Sequence, residues 1–176
     1  MTLDSLLAEK KTRIVRKWID LIFENYPDES QRFFKKEKNR FANPVGQTVS
    51  REAGILFDEL IKDAMSPENV TAGLDNIIRI RAVQDLKPSH AIGFMLRLKG
   101  LVREELEEKA LSNGLSSELR ELENRIDEAA LLAFDIYSQC RQKIYELRVN
   151  EFKRQVGRLL KRANLVCEIP GLEPDL

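Results

Sequence analysis

A single histidine, two cysteines and two doubled glutamates are the residues of this chain whose types invite a chemical reading. His90 follows Pro88-Ser89 at an expected helix start. As a haem or metal ligand it would need further ligands or an open pocket, and the sequence holds no second histidine. An ordinary helix-start histidine is the expected role, with haem or ligand contact as the other reading. Cys140 falls on an apolar helical seam, where a small thiol serves packing, and Cys167 lies near the end of the chain. Glu104-Glu105 and Glu107-Glu108 lack the Glu-x-x-His pattern of helical di-metal sites and are expected on a solvated face. No nucleophile with a base, no carboxylate pair in a cleft and no phosphate loop can be assembled. The expectation is therefore a protein that is not an enzyme, with no metal and no resident cofactor.

Polar chemistry concentrates instead between Asp75 and Lys99, in DNIIRIRAVQDLKPSHAIGFMLRLK. Arg79, Arg81, Gln84, Asp85, Ser89 and His90 cluster around a Pro-centred turn that joins two apolar helical patterns. Ile77, Ile78, Ile80 and Val83 bring both arginines close to core. A buried guanidinium needs acceptors, so Arg79 and Arg81 are expected to tie this helix to a neighbour.

Helical periodicity places the elements that carry these residues. Expected helices run over Leu3–Tyr26, Glu29–Lys36, Pro44–Ala64, Pro67 to about Leu86, Pro88–Leu111 and Ser117–Asn164, with no credible strand. Asn43 is placed to cap the third helix, with Pro44 at its first position, and Ser66 caps the fourth. Phe41 is expected to staple back onto the third helix, and Phe33 and Phe34 to face inward. In the last helix Leu119, Leu122, Ile126, Ala129, Ala133, Ile136 and Cys140 recur three and four apart, as in a heptad seam. Beyond Arg141 it turns basic and too thinly apolar to lie in the same core. The fold expected is all-α, about six helices, a helical bundle with a long C-terminal helix. The organisation expected is one domain over 3–164 and a Pro-containing tail over 165–176.

Lysine plus arginine and aspartate plus glutamate both number 29, so no net field steers the chain toward nucleic acid or membrane. The run Lys10, Lys11, Arg13, Arg16, Lys17 is expected to be a solvated helix face. Nucleic-acid binding is not expected of the basic end of the last helix either, where only Tyr145 and Phe152 offer stacking. No stretch is apolar enough to span a bilayer or serve as a signal peptide, and the cysteines are unclustered, which points to the cytoplasm.

Three stretches, LLAEKKTRIVRKWIDLIFENYP, FANPVG at a helix start and IRIRAVQDLKPSHAIGF, together resemble the N-terminal domain of the RsbR/RsbRD co-antagonist proteins. These domains are the sensory half of stressosome components that control a general stress response. The likeness covers roughly Leu6 to Tyr145. It implies an all-helical, globin-like domain that dimerises and normally carries no haem. In that family the last helix leads to a STAS domain, which binds a switch kinase and is phosphorylated. This sequence has no alternating strand–helix region for one, so a stand-alone sensory or interaction module is expected. Asn43, Pro44, Arg79, Arg81, Gln84 and Asp85 stand at the family-motif positions, either as functional residues or as stabilisers of the helix junction. The function expected is regulation by protein–protein contact, as a homodimer whose interface comes from the first helix and the apolar half of the last. STAS-domain or switch-kinase proteins, or an unrelated complex, are the expected partners. The alternatives are a globin-like sensor of haem or a small apolar ligand, and an accessory subunit docking through its basic C-terminal helix.

Overall fold

A computed structural model describes residues 2–37, 39, 41–62, 64–84 and 86–163. They form six α-helices and, among the described residues, no strand: α1 (Leu3–Phe23), α2 (Asp28–Lys36), α3 (Pro44–Leu60), α4 (Pro67–Val83), α5 (Pro88–Ser112) and α6 (Ser116–Arg162). By compactness the chain divides into one unit over Met1–Ser138 and another over Gln139–Leu176. The expected tail over 165–176, with Cys167, lies outside the described residues, as does Asp85.

In the first unit each helix starts where its local chemistry dictates. Thr2 caps α1 in a reciprocal box with Ser5, and Ser66 caps α4 ahead of Pro67. One apolar stripe of α1, through Leu7, Ile14, Trp18 and Ile22, is fully buried. Val49, Ala53, Leu56 and Leu60 of α3, Leu74, Ile77 and Ile78 of α4, and Met95, Leu98 and Val102 of α5 are buried as well, with α1 packed on α3 and α5, and α4 on the same two helices. The α6 seam from Leu119 to Ile136 is buried with them, and Cys140 is half-buried. From Ser138 to Ala163 no residue is buried. The second unit is thus a helical stretch without a core of its own among the described residues.

Two expectations about aromatic residues fail. Phe41 is 96% exposed and staples nothing. Phe33 is 46% exposed; only Phe34 turns inward, its ring 5.0 Å from Phe23 and 5.2 Å from Tyr26. Neighbours in sequence stand about 100° apart on a helix, so a short surface helix cannot bury both.

The charged faces are also less solvated than expected. Arg13 and Lys17 of α1 reach Glu105 at 2.8 and 2.7 Å, Lys17 also reaches Glu104, and Lys11 pairs with Asp58. The Glu104–Glu105 pair therefore stitches α5 to α1, with the Glu105 side chain largely buried. Arg103 grips Glu123 with two bonds, and Glu59 collects Lys62, Asn69 and the backbone N–H of Ser66. Hydrogen bonds from Lys17, Arg103 and Lys62 hold the carboxyls of Glu105, Glu123 and Glu59, respectively, below their ordinary value of 4.5. A depressed folded-state value stabilises above the unfolded value and is lost as pH falls through the folded one. The urea midpoint is expected to hold steady down to about pH 5 and to fall below about pH 4.5, and Glu123→Gln should flatten that fall. A midpoint unchanged between pH 5 and pH 3 would remove these carboxylates from the account.

Candidate functional site

Arg81, on the inner face of α4, is fully buried in the first unit. Among the described residues its guanidinium meets no carboxylate, only main-chain carbonyls. Nη1 donates to the Ile22 carbonyl at 2.5 Å, Nη2 to His90 at 2.6 Å and Nε to Ala91 at 2.9 Å. Ile22 lies in the last turn of α1, where carbonyls lack helical partners and the helix dipole is negative. His90 and Ala91 lie in the first turn of α5, and their oxygens have a second lone pair to offer. One side chain of α4 thereby joins the end of α1 to the start of α5. The Phe94 ring lies 5.5 Å below the guanidinium and adds a cation–π contact. Burial pulls the guanidinium below its ordinary value, although arginine keeps its proton at any physiological pH.

Trp18 fastens the same joint from the other side, its indole N–H donating to the Phe94 carbonyl at 2.8 Å. Tyr26, just past α1, donates its hydroxyl to Oε1 of Gln84 at 2.5 Å. Burial pushes the Tyr26 phenol up, opposed by the nearby Arg81 charge. Phe34 packs on Tyr26 and Phe23, and the Phe34 carbonyl accepts from Asn43. Asn43 is fully buried and serves two helices at once. Its Oδ1 accepts from the Gly46 N–H at 2.8 Å, capping α3, while Nδ2 donates to the Phe34 and Glu37 carbonyls at 2.9 Å each, closing α2. A Cβ on Gly46 would stand 2.4 Å from that carboxamide nitrogen, so the cap requires glycine there.

Four of the residues singled out from the sequence thus fall along one continuous joint: Asn43, Arg81, Gln84 and the backbone of His90. Pro44 opens α3 beside it. Arg79 does not belong. It stands two residues from Arg81, about 200° around the helix, on the outer face, where it pairs with Asp75 at 2.5 Å and its side chain is 67% exposed. The expectation that both arginines approach the core holds for Arg81 alone. The His90 ring is exposed, beside Leu21, Glu24, Phe94 and Arg97 in an open cleft of about 410 Å³. No group of three His, Cys, Asp or Glu side chains among the described residues is placed to hold a metal ion.

Sequence reasoning missed the distant carbonyl caps. Arg125 of α6 donates to the Leu60 carbonyl at the end of α3, and the Tyr137 hydroxyl to Leu86 between α4 and α5. Together with Arg81 on Ile22, they satisfy three main-chain carbonyls at or just past helix ends with side chains from other helices. The only signal for Tyr137 was a hydroxyl on an otherwise apolar seam.

The family model of the RsbT co-antagonist protein rsbRD N-terminal domain matches residues 12–151, most of the chain and all of this joint. The chain belongs to this family. It is a family of regulatory, sensory domains of stress-response co-antagonists. A protein of Archaeoglobus fulgidus, described only as uncharacterized, is 26% identical over 149 residues, which is 80% of this chain and 83% of that protein. No solved structure matches.

Among the described residues no helix is long and apolar enough to cross a membrane.

Proposed function

We propose that this RsbRD-type domain is a non-enzymatic, cytoplasmic regulatory module that acts by protein–protein contact and works as a homodimer. One observation carries the reading, a contiguous apolar surface on α5 and α6. Lys99 meets Asp127 at 2.6 Å and Arg103 meets Glu123 at 2.5 Å, two bonds that share one antiparallel register. In that register Leu96 lies level with Ala130 and Leu131, and Ile92 level with Phe134. Leu96, Leu131 and Phe134 are exposed, Leu131 by 69%, although they share helices with the core. An apolar patch rimmed by ion pairs suits a self-complementary interface between two copies. The sequence alone favoured α1 with α6; the exposed residues favour α5 with α6 instead, because the apolar stripe of α1 is used up within the core.

In this reading a signal reaches the joint around Arg81 and shifts the packing of α1 against α5, and α6 carries the change to STAS-domain or switch-kinase partners. No haem or other resident cofactor takes part; a visible absorption band in the purified protein would overturn that. Light scattering after size exclusion is expected to give a dimer mass for the natural sequence. Leu131→Glu combined with Phe134→Glu should give a monomer with an unchanged helical spectrum. A dimer that survives both changes would remove this surface, and a monomeric natural chain would remove self-association.

A further inference from the structure

From Gln139 to Arg162 the second unit holds eight Lys or Arg against two Glu, a net of +6, in a chain whose total is zero. Tyr145, Val149, Phe152, Val156, Leu159 and Leu160 fall within an arc of about 100° on this helix. Five of the six are exposed, Phe152 by 67%, and Val156 is half-buried. Lys143, Arg154, Arg158 and Lys161 lie on the opposite face, with Arg148 and Lys153 at its two edges. The two acids are occupied within the helix. Gln142 donates to Glu146, while Gln155, Arg154 and Arg158 gather on Glu151. Glu151 is thus neutralised by arginine, and Glu146 alone among the described acids of this segment keeps its charge, against eight cations.

We infer that this segment of α6 is a peripheral membrane-binding helix that lies in the headgroup region of an anionic bilayer. The apolar arc enters the acyl boundary, and the lysines and arginines reach lipid phosphates with their stems along the apolar edge. Arg141 stands over the Tyr145 ring at 4.9 Å and donates to its hydroxyl, an aromatic and cation pair suited to the same depth. The charge argues against a second copy as the occupant of this stripe. Parallel self-pairing with Val149 and Val156 at a and Phe152 and Leu159 at d aligns two +6 segments and sets Arg148 of one copy opposite Lys153 of the other. A duplex nucleic acid would use the charge and leave the apolar arc in water. Anionic lipid uses both.

The inference is independent of the α5–α6 dimer surface, and one experiment separates them. The full chain is floated with vesicles of phosphatidylcholine alone or mixed with phosphatidylglycerol. It is expected to rise with the mixed vesicles and not with phosphatidylcholine alone, and added salt should weaken the binding. Phe152→Asp is expected to cut partitioning about tenfold without changing the melting curve or the dimer mass. Arg154→Gln and Arg158→Gln should each cut it about fivefold. The Leu131→Glu/Phe134→Glu chain should still bind vesicles. Absence of the chain from mixed vesicles at low salt would overturn the inference, as would capture by polyglutamate without vesicle binding, which would mark an acidic protein as the partner. Loss of the dimer in Phe152→Asp would overturn it in favour of self-pairing. Undiminished binding of that variant would overturn the inserted apolar face.

Discussion

Arg81→Ala is expected to lower the unfolding free energy by about 3–5 kcal/mol, measured by urea titration. Three charge-assisted bonds disappear, each worth about 1.5–3 kcal/mol in favourable geometry, together with a cation–π contact, and a cavity opens in the core. An opposing term reduces the sum, since a desolvated guanidinium is costly to bury. Domains of this size are stable by only about 5–15 kcal/mol, so the variant should stand near the edge of folding. Two further substitutions separate the contributions. Arg81→Lys keeps the charge, but its tetrahedral ammonium cannot reach three carbonyls spread over α1 and α5, and a loss of about 2 kcal/mol is expected. Arg81→Met keeps the stem and fills the cavity, so it should be less damaging than alanine. A methionine variant as stable as the natural protein would show that the guanidinium adds nothing net to stability, and would turn attention to signalling. Arg79→Ala is the control: its exposed pair with Asp75 should be worth no more than about 0.5 kcal/mol.

Asn43→Ala should cost about 3 kcal/mol, more than an ordinary helix cap. An exposed capping asparagine satisfies one backbone N–H, and its removal lets water take the place. Here the carboxamide is fully buried, and three backbone groups lose its bond when it goes: the Gly46 N–H, the Phe34 carbonyl and the Glu37 carbonyl, which keeps only a longer bond from Gln47. Asn43→Asp distinguishes this double cap from a simple one. Aspartate is as good an N-cap as asparagine at a helix start open to water. At this position it would turn a carboxylate oxygen toward two carbonyl oxygens, so it should be as damaging as alanine at neutral pH. Thermal unfolding of both variants checks the point, and an aspartate variant of natural stability would mean that Nδ2 contributes nothing. Because Phe34 also carries the aromatic stack on Phe23 and Tyr26, the loosened α2 is expected to weaken the Tyr26–Gln84 bond at the far end of the joint.

Local chemistry was legible in the sequence because it is settled within a few residues. Asn43-Pro44 and Ser66-Pro67 mark helix starts by capping and by the fixed geometry of proline, and the structure starts α3 and α4 there. The seam of α6 was equally readable, since burial of one face imposes its period on the side chains. The loss of core beyond Arg141 followed from the same pattern, and burial in fact ends at Tyr137. What the chain could not reveal by itself is which of two arginines, on either side of Ile80 in an apolar run, turns inward. The phase of α4 is decided by its packing on α3 and α5, and that phase buries Arg81 and leaves Arg79 in water. The acceptors of Arg81 were equally invisible: they are main-chain carbonyls, which no side-chain pattern encodes, and one belongs to Ile22, 59 residues away. Tertiary packing alone brings the end of α1 and the start of α5 within reach of one side chain, because the ends of helices leave carbonyls that must find donors wherever the fold places them.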